Sequence, residues 1–101
     1  MIFFSDDAAL DVERLRKFLA FKSSRAADRA IEKIWAAALR LLDFPNSGAP
    51  KGRAGVRQIV VRYGASAYVL RYAILAESGD VLILRIWHGR EAREDEEDGR
   101  V

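Results

Sequence analysis

The sequence contains no cysteine and a single histidine, His88. The lack of cysteine excludes disulfide bonds, thiolate nucleophiles and cysteine-ligated zinc sites, and one histidine is too few for most histidine-rich metal sites. No stretch approaches the roughly 20 consecutive apolar residues that a membrane-spanning helix needs. The N-terminus also lacks the basic segment that begins a secretory signal peptide. We therefore expect a cytoplasmic protein that does not contact the membrane.

The length of the chain limits the protein to one domain. Its 101 residues suffice for a single hydrophobic core and leave no room for a catalytic domain beside a binding domain. Half of the residues are apolar and 32% are charged, which is typical of a folded chain and not of a disordered one. We therefore treat residues 1–101 as one domain.

Charge is unevenly distributed along the chain, although the net charge is only +2. Residues 49–93 contain eight basic and three acidic residues, whereas residues 94–101 contain five acidic residues and one arginine. The second half is thus a basic body that ends in an acidic run, and such a body favours an anionic partner surface. A run of consecutive acids is most often a solvated end, so we expect no metal site in it.

The first half of the sequence predicts a short strand followed by two amphipathic helices. The apolar run from Ile2 to Phe4 stops at Ser5, a residue type favoured at helix N-caps, and Ser23 or Ser24 can cap the second helix. The short connection between the helices predicts an antiparallel helical hairpin. Apolar residues recur at helical spacing in both helices. They are Val12, Leu15, Phe18 and Leu19 in the first helix, and Ala27, Ile31, Ile34, Ala38 and Leu41 in the second, widened by Ala30, Trp35 and Leu42, with Trp35 expected in the core.

Three strand-like runs, at residues 58–63, 68–75 and 81–87, follow an irregular glycine-containing loop. The turns between them are short, which predicts an antiparallel meander. Alternation along the strands places Arg71 and Arg85 on one face. The helical hairpin is expected to cover the other face, with Tyr68, Leu70, Tyr72, Ile74, Leu82, Leu84 and Ile86. The predicted fold class is α+β, with an N-terminal strand, an antiparallel helical hairpin packed on an antiparallel sheet, and a short C-terminal helix or tail.

No combination of residues predicts catalysis. His88 is three residues from the nearest acid, Glu91, and a histidine at a strand end is most often bonded to the backbone or to a neighbour. Cleavage of a phosphodiester needs an acid, a base and a cation within reach of one another. Arginine is abundant, but a convincing base is missing, and the glycine-containing loop lacks the spacing of a phosphate loop. We therefore expect no catalytic residues, no metal and no cofactor.

The arginines of the last two strands admit two interpretations. Arg71 and Arg85 each interrupt an otherwise apolar strand, and a sheet face that carries arginine needs carboxylates, water or a partner to satisfy it. One interpretation is a solvated face with surface ion pairs. The other is a binding face, because apolar residues and arginine interleave there with Trp87 at the edge.

Four segments are notable for their order and spacing. They are Phe44-Pro45 with Gly48 after the second helix, Arg57 at the start of a strand, Tyr68-Val69-Leu70-Arg71-Tyr72 in the middle strand, and Val81 to Glu91 at the end. Together they resemble the RelE/ParE toxin superfamily of bacterial type II toxin–antitoxin modules, over nearly the whole chain. The resemblance implies a toxin that a cognate antitoxin wraps with an extended or helical segment. It leaves open a homodimer or a toxin–antitoxin heterotetramer.

The resemblance also bears on the mode of action. The branch of the superfamily that cleaves messenger RNA on the ribosome carries a pair of alternating basic residues, an arginine after the next turn, and a C-terminal tyrosine. The matching positions here are Gln58, Val60 and Val69, no tyrosine follows Glu94, and only Arg93 matches that branch's late arginine. The chain is more similar to the ParE branch, which is associated with poisoning DNA gyrase by binding. The resemblance therefore implies a gyrase inhibitor, with a RelE-like messenger-RNA endonuclease or an inert binding module as alternatives.

The predicted partner-binding residues combine the arginine-bearing face with the end of the last strand. In a short C-terminal helix Arg90 and Arg93 would lie on one side. The alternative is that these two arginines only form surface ion pairs with Glu94 and Glu97. The predicted set is Arg57, Arg71, Arg85, Trp87, His88, Arg90 and Arg93.

Overall fold

The computed structural model describes residues 1–91, which form two helices and five strands. In chain order these are β1 (Ile2–Phe4), α1 (Asp6–Ala20), α2 (Ser24–Arg40), β2 (Ala49–Pro50), β3 (Val56–Tyr63), β4 (Ser66–Ile74) and β5 (Val81–His88). The predicted C-terminal helix or tail falls outside the described residues. Neither of the two helices in residues 1–91 combines the length and the apolar character that crossing a bilayer requires.

The five strands form one sheet in the order β1-β5-β4-β3-β2. Strands β3, β4 and β5 make the predicted antiparallel meander, and β2 adds two residues at the outer edge of β3. The sheet is mixed, because β1 pairs with β5 in parallel. The pairing is extended by backbone hydrogen bonds from Val81 N to Met1 O (3.0 Å) and from Ser5 N to Ile83 O (2.9 Å). The chain therefore leaves the sheet directly into α1.

Both helices begin at the predicted serine caps. Ser5 Oγ accepts a hydrogen bond from the Ala8 amide (3.0 Å), and Ser23 Oγ accepts one from the Ala26 amide (3.2 Å). Each cap satisfies an amide that has no partner within its own helix. The helices pack against each other as the predicted hairpin and cover one face of the sheet.

The core lies between this hairpin and the sheet. Its largest fully buried side chains include Leu15, Ile34, Leu41, Tyr68, Leu70, Tyr72, Ile83 and Ile86. The prediction that Trp35 lies in the core is wrong: the residue is 43% exposed, and its ring contacts Phe4 with the centroids 4.6 Å apart. The apolar stripe of α2 is wider than the surface that α1 and the sheet can cover, so its outer residues remain accessible.

A β-bulge changes the predicted faces of β5. Arg71 pairs with Arg85, but the next residue of β4, Tyr72, pairs with Ile83, so Leu84 is the extra residue of the bulge. The alternation of β5 is therefore interrupted at this point. Val81 and Ile83 are buried in the core instead of Leu82 and Leu84, whereas Ile86 lies in the core as predicted.

Candidate functional site

The sheet face opposite the helices, called the outer face below, carries part of the predicted site. The pairing register places Gln58 beside Arg71 and Val69 beside Trp87 on this face. Arg71 donates hydrogen bonds to Gln58 Oε1 from Nε (3.3 Å) and from Nη2 (2.9 Å). Its guanidinium also lies 5.1 Å from the centroid of the Trp87 ring, a cation–π distance. Arg71 and Trp87 thus form one unit, in which Trp87 is only 3% exposed.

Arg85 is opposite Arg71 in the register, but its side chain binds α1. Its Nε and Nη2 donate to the carboxylate of Asp11 at 2.9 and 3.1 Å. Asp11 is 1% exposed and also accepts hydrogen bonds from the Ile86 amide (2.8 Å) and from Arg14. Burial alone would raise the pKa of Asp11, but the hydrogen bonds from Arg85, Ile86 and Arg14 outweigh burial and lower it. The carboxylate is therefore an ion-pair partner and a poor proton acceptor.

Side chains replace a neighbouring strand along the second half of β5. Strand β1 pairs with β5 only as far as Ile83. Beyond that point Arg14 Nη2 donates to the Ile86 carbonyl (3.2 Å), and Glu91 Oε1 accepts from the His88 amide (2.7 Å). Arg14 also binds both oxygens of Glu91 at 3.0 and 3.1 Å, and these hydrogen bonds are the main reason that its pKa is raised. Side chains of α1 and of Glu91 thus supply the hydrogen bonds for the backbone at this edge of β5.

Arg57 holds the loop that precedes β3. Its Nη1 donates to the carbonyl of Gly48 (2.7 Å) and to that of Asn46 (3.3 Å). The Tyr72 hydroxyl supports the same loop, because it accepts from the Gly48 amide (3.0 Å) and donates to the Pro45 carbonyl (2.6 Å). The contacts of Arg57 are therefore those of a loop-positioning residue.

His88 lies on the helix-covered face of the sheet and not on the outer face. It pairs with Tyr68 in the register, and its ring meets that of Tyr68 edge to face with centroids 5.2 Å apart. Its Nδ1 accepts a hydrogen bond from the Arg90 amide at 3.0 Å. His88 and Arg90 line a cavity of about 420 Å³ together with Phe18, Lys22, Tyr63 and Ser66, called the His88 cleft below.

The predicted residues therefore divide into three groups. Arg71 and Trp87 meet on the outer face, His88 and Arg90 meet at the His88 cleft, and Arg57 and Arg85 bind a loop and α1. Arg93 falls outside the described residues. The sequence analysis missed Asp11, Arg14 and Glu91. The buried position of Asp11 could have been predicted, because Ala8, Asp11 and Leu15 share a helical spacing. A charged residue within an apolar stripe needs a buried partner.

Comparison with known proteins identifies the family. The family model described as "ParE toxin of type II toxin-antitoxin system, parDE" matches residues 2–93. Two curated relatives come from Caulobacter vibrioides. Toxin RelE1 is 40% identical over 86 residues, which cover 85% of this chain and 89% of the relative. Toxin RelE3 is 36% identical over 86 residues, which cover 85% of this chain and 90% of the relative.

Two solved structures share the fold. The chromosomal ParDE system from P. aeruginosa gives a TM-score of 0.68 at 18% identity, over 86% of this chain and 92% of that one. The isolated E. coli RelE toxin gives 0.61 at 17% identity, over 99% of this chain and 95% of that one. These likenesses confirm the predicted layout of a helical hairpin on a sheet. With the family match over nearly the whole chain, they lead to one conclusion: the chain belongs to the ParE toxin family of type II toxin–antitoxin systems, within the RelE/ParE superfamily.

Proposed function

We propose that this toxin acts by binding its target, that the target is DNA gyrase, and that a cognate antitoxin neutralises it. The observation that carries this proposal is the chemistry of the outer face. The guanidinium of Arg71 binds the Gln58 amide there and lies over the Trp87 ring, and Val60 and Val69 lie on the same face. Arginine held on an aromatic ring among apolar residues is typical of a protein interface.

The acids near the end of β5 support the same proposal. Asp11 and Glu91 both bind arginine, and the pKa of Asp11 is lowered. A carboxylate held in this way stays ionised and takes up a proton reluctantly. The imidazole of His88 lies on the opposite face of the sheet from Arg71, as the alternation of β4 and β5 requires. Both acids are thus engaged as ion-pair partners, and the imidazole is not on the face that carries Arg71.

The outer face also suits an antitoxin. Val60 is 54% exposed on this face, and Phe3 at its β1 edge is 44% exposed. Together with Arg62 and Arg71 they form a surface that is partly apolar and carries positive charge. A partner segment with apolar and acidic side chains would cover both components.

A second candidate function is ribosome-dependent cleavage of messenger RNA, because the two curated relatives carry the RelE name. Two assays in parallel separate the candidates: supercoiling of plasmid DNA by purified gyrase, and cleavage of messenger RNA on translating ribosomes. We expect inhibition of supercoiling and intact messenger RNA. Cleavage without an effect on gyrase would overturn the proposed target.

Variants locate the surface that acts on gyrase. Val60→Ala with Arg71→Ala tests the outer face, and Arg90→Ala with Arg93→Ala tests the end of the chain. Arg16→Ala is the matched control. Arg16 is an exposed residue of α1 that binds Asp28 of α2, so it belongs to the helical hairpin and not to the outer face. Full potency of all four site variants would exclude both surfaces even if gyrase were inhibited.

A further inference from the structure

The His88 cleft is a cavity with a largely apolar lining and a few polar groups, and apart from Arg90 the proposed function does not use it. Its volume of about 420 Å³ lies within the range of about 300–1,000 Å³ that is usual for small-molecule sites. It lies where the end of α1, the start of α2, the β3–β4 turn and the end of β5 come together. Besides Leu19, Ala26 and Glu91, its lining contains hydrogen-bond donors and aromatic rings. The donors and the rings select different parts of a ligand.

The imidazole of His88 supplies a donor that points into this cleft. The residue is only 9% exposed, and its Nδ1 accepts from the Arg90 amide, so the proton of the neutral ring is on Nε2. No residue of the described chain accepts a hydrogen bond from Nε2. Since no fully buried polar side-chain atom in residues 1–91 lacks a partner, Nε2 is at least partly exposed, and His88 lines the cleft. The ring is nevertheless held in place, edge-on to Tyr68 and 6.2 Å from the Phe18 centroid.

The charges around the cleft favour an anion. Lys22 and Arg90 contribute two cations to its lining, and Ser66 contributes a hydroxyl. The one acid in the lining, Glu91, is bound by Arg14 and by the His88 amide. A phosphate monoester carries a charge of about −1.5 to −2 at pH 7 and has three acceptor oxygens. It matches two cations and several donors better than a carboxylate, which has one charge and two oxygens.

The aromatic rings define the rest of the ligand. Phe18 and Tyr63 line the same cleft as the donors, and Phe18 is 56% exposed, so its ring is accessible to a ligand. A planar heteroaromatic ring can stack on such side chains. We propose that the His88 cleft binds a phosphate monoester that is attached to an aromatic ring system, which is the chemistry of a nucleoside monophosphate. The ligand is either a free nucleotide or the 5′-phosphorylated end of an oligonucleotide.

Titration of the full-length chain with adenosine 5′-monophosphate tests this inference by calorimetry, with amide chemical shifts as a second readout. We expect saturable binding, with shifts concentrated at Ser66, His88 and Arg90. Adenosine and inorganic phosphate each carry half of the recognised chemistry and should bind at least about tenfold more weakly. Equal binding of adenosine and the nucleotide, or no binding of the nucleotide by the folded chain, would overturn the inference.

Two further probes distinguish the sources of the phosphate. A short single-stranded oligonucleotide with a 5′-phosphate is compared with the same oligonucleotide without it. Tighter binding of the phosphorylated strand than of the mononucleotide would assign the cleft to a nucleic acid end, and the reverse order would assign it to a free nucleotide. Binding that is indifferent to the 5′-phosphate and to the mononucleotide competitor would contradict the proposal.

Variants connect the binding to the cleft. Lys22→Ala should weaken nucleotide binding about tenfold, whereas Lys17→Ala, which removes an exposed lysine of the same helical hairpin outside the cleft, should not. His88→Asn retains an acceptor near the position of Nδ1 but removes the Nε2 donor, and should also weaken binding about tenfold. If His88→Asn does not fold, the exposed Lys22 decides the question. Equal affinities of Lys22→Ala and Lys17→Ala would refute the site.

Discussion

Replacement of Asp11 by asparagine should destabilise the protein more than its conservative shape suggests. The carboxylate accepts two hydrogen bonds from Arg85 (2.9 and 3.1 Å), one from the Ile86 amide (2.8 Å) and one from Arg14. The asparagine side chain has nearly the same shape, so no cavity forms. However, its amide group replaces an acceptor oxygen by a donor that faces other donors. It also leaves Arg85 without its buried counter-ion.

The size of the effect follows from burial. Removing one partner of a fully buried ion pair costs about 3–5 kcal/mol, and a hydrogen bond to a charged group contributes about 1.5–3 kcal/mol. The side chains of Arg85 and Arg14 are 31% and 39% exposed, so water can replace part of what they lose. We therefore expect a loss of about 2–4 kcal/mol, which lowers the melting temperature of a domain this size by about 10–25 °C.

Thermal unfolding followed by circular dichroism measures this effect. Asp28→Asn is the matched control: Asp28 also lies on a helix and binds an arginine, Arg16, at 2.7 Å, but its side chain is 64% exposed. Such a surface pair contributes less than about 1 kcal/mol. Equal melting temperatures for Asp11→Asn and Asp28→Asn would show that the Asp11 network does not support the end of β5.

Three other predictions concern stability. Because the pKa of Asp11 is lowered from 3.8, its contribution to stability is complete well above pH 3.8 and is lost as the pH falls through the lowered value. The urea midpoints of the wild type and Asp11→Asn, measured from neutral to acid pH, should therefore converge. Gly48→Ala would place a Cβ atom 2.7 Å from the Tyr72 hydroxyl, so it should cost about 1–3 kcal/mol in urea denaturation, and an unchanged midpoint would contradict the tight packing. Ile34→Ala should lower the free energy of unfolding by about 2–5 kcal/mol. Trp35→Ala removes a larger side chain but should cost less, because Trp35 is 43% exposed. A larger loss of melting temperature for Trp35→Ala than for Ile34→Ala would show that Trp35 does belong to the core.

Local patterns in the sequence predicted most of the fold. The serine caps, the stripe of α2 and the three strands of the meander each depend on residues close to one another in the chain. The stripe identified Ile34 correctly and failed at Trp35, because the width of a stripe does not reveal how much of it the rest of the protein covers.

The remaining features depend on contacts that are distant in sequence. The bulge at Leu84 follows from how β5 pairs with β4, and alternation within β5 alone gives no sign of it. The parallel pairing of Ile2–Phe4 with β5 and the binding of Arg85 to Asp11 likewise join the two ends of the chain. Arg71 and Arg85 were predicted to share a face, but the distant carboxylate of Asp11 determines where the Arg85 side chain lies.

The measurement that tests the proposed mode of action most directly is the stoichiometry of inhibition. Purified gyrase is titrated with the toxin, and supercoiling is measured as a function of the molar ratio of the two proteins. A toxin that acts by occupancy should inhibit in proportion to the fraction of gyrase bound, and the cognate antitoxin should restore activity when added afterwards. Loss of activity at a small fraction of the gyrase concentration, continuing with time and not reversed by the antitoxin, would show catalytic turnover and contradict the account.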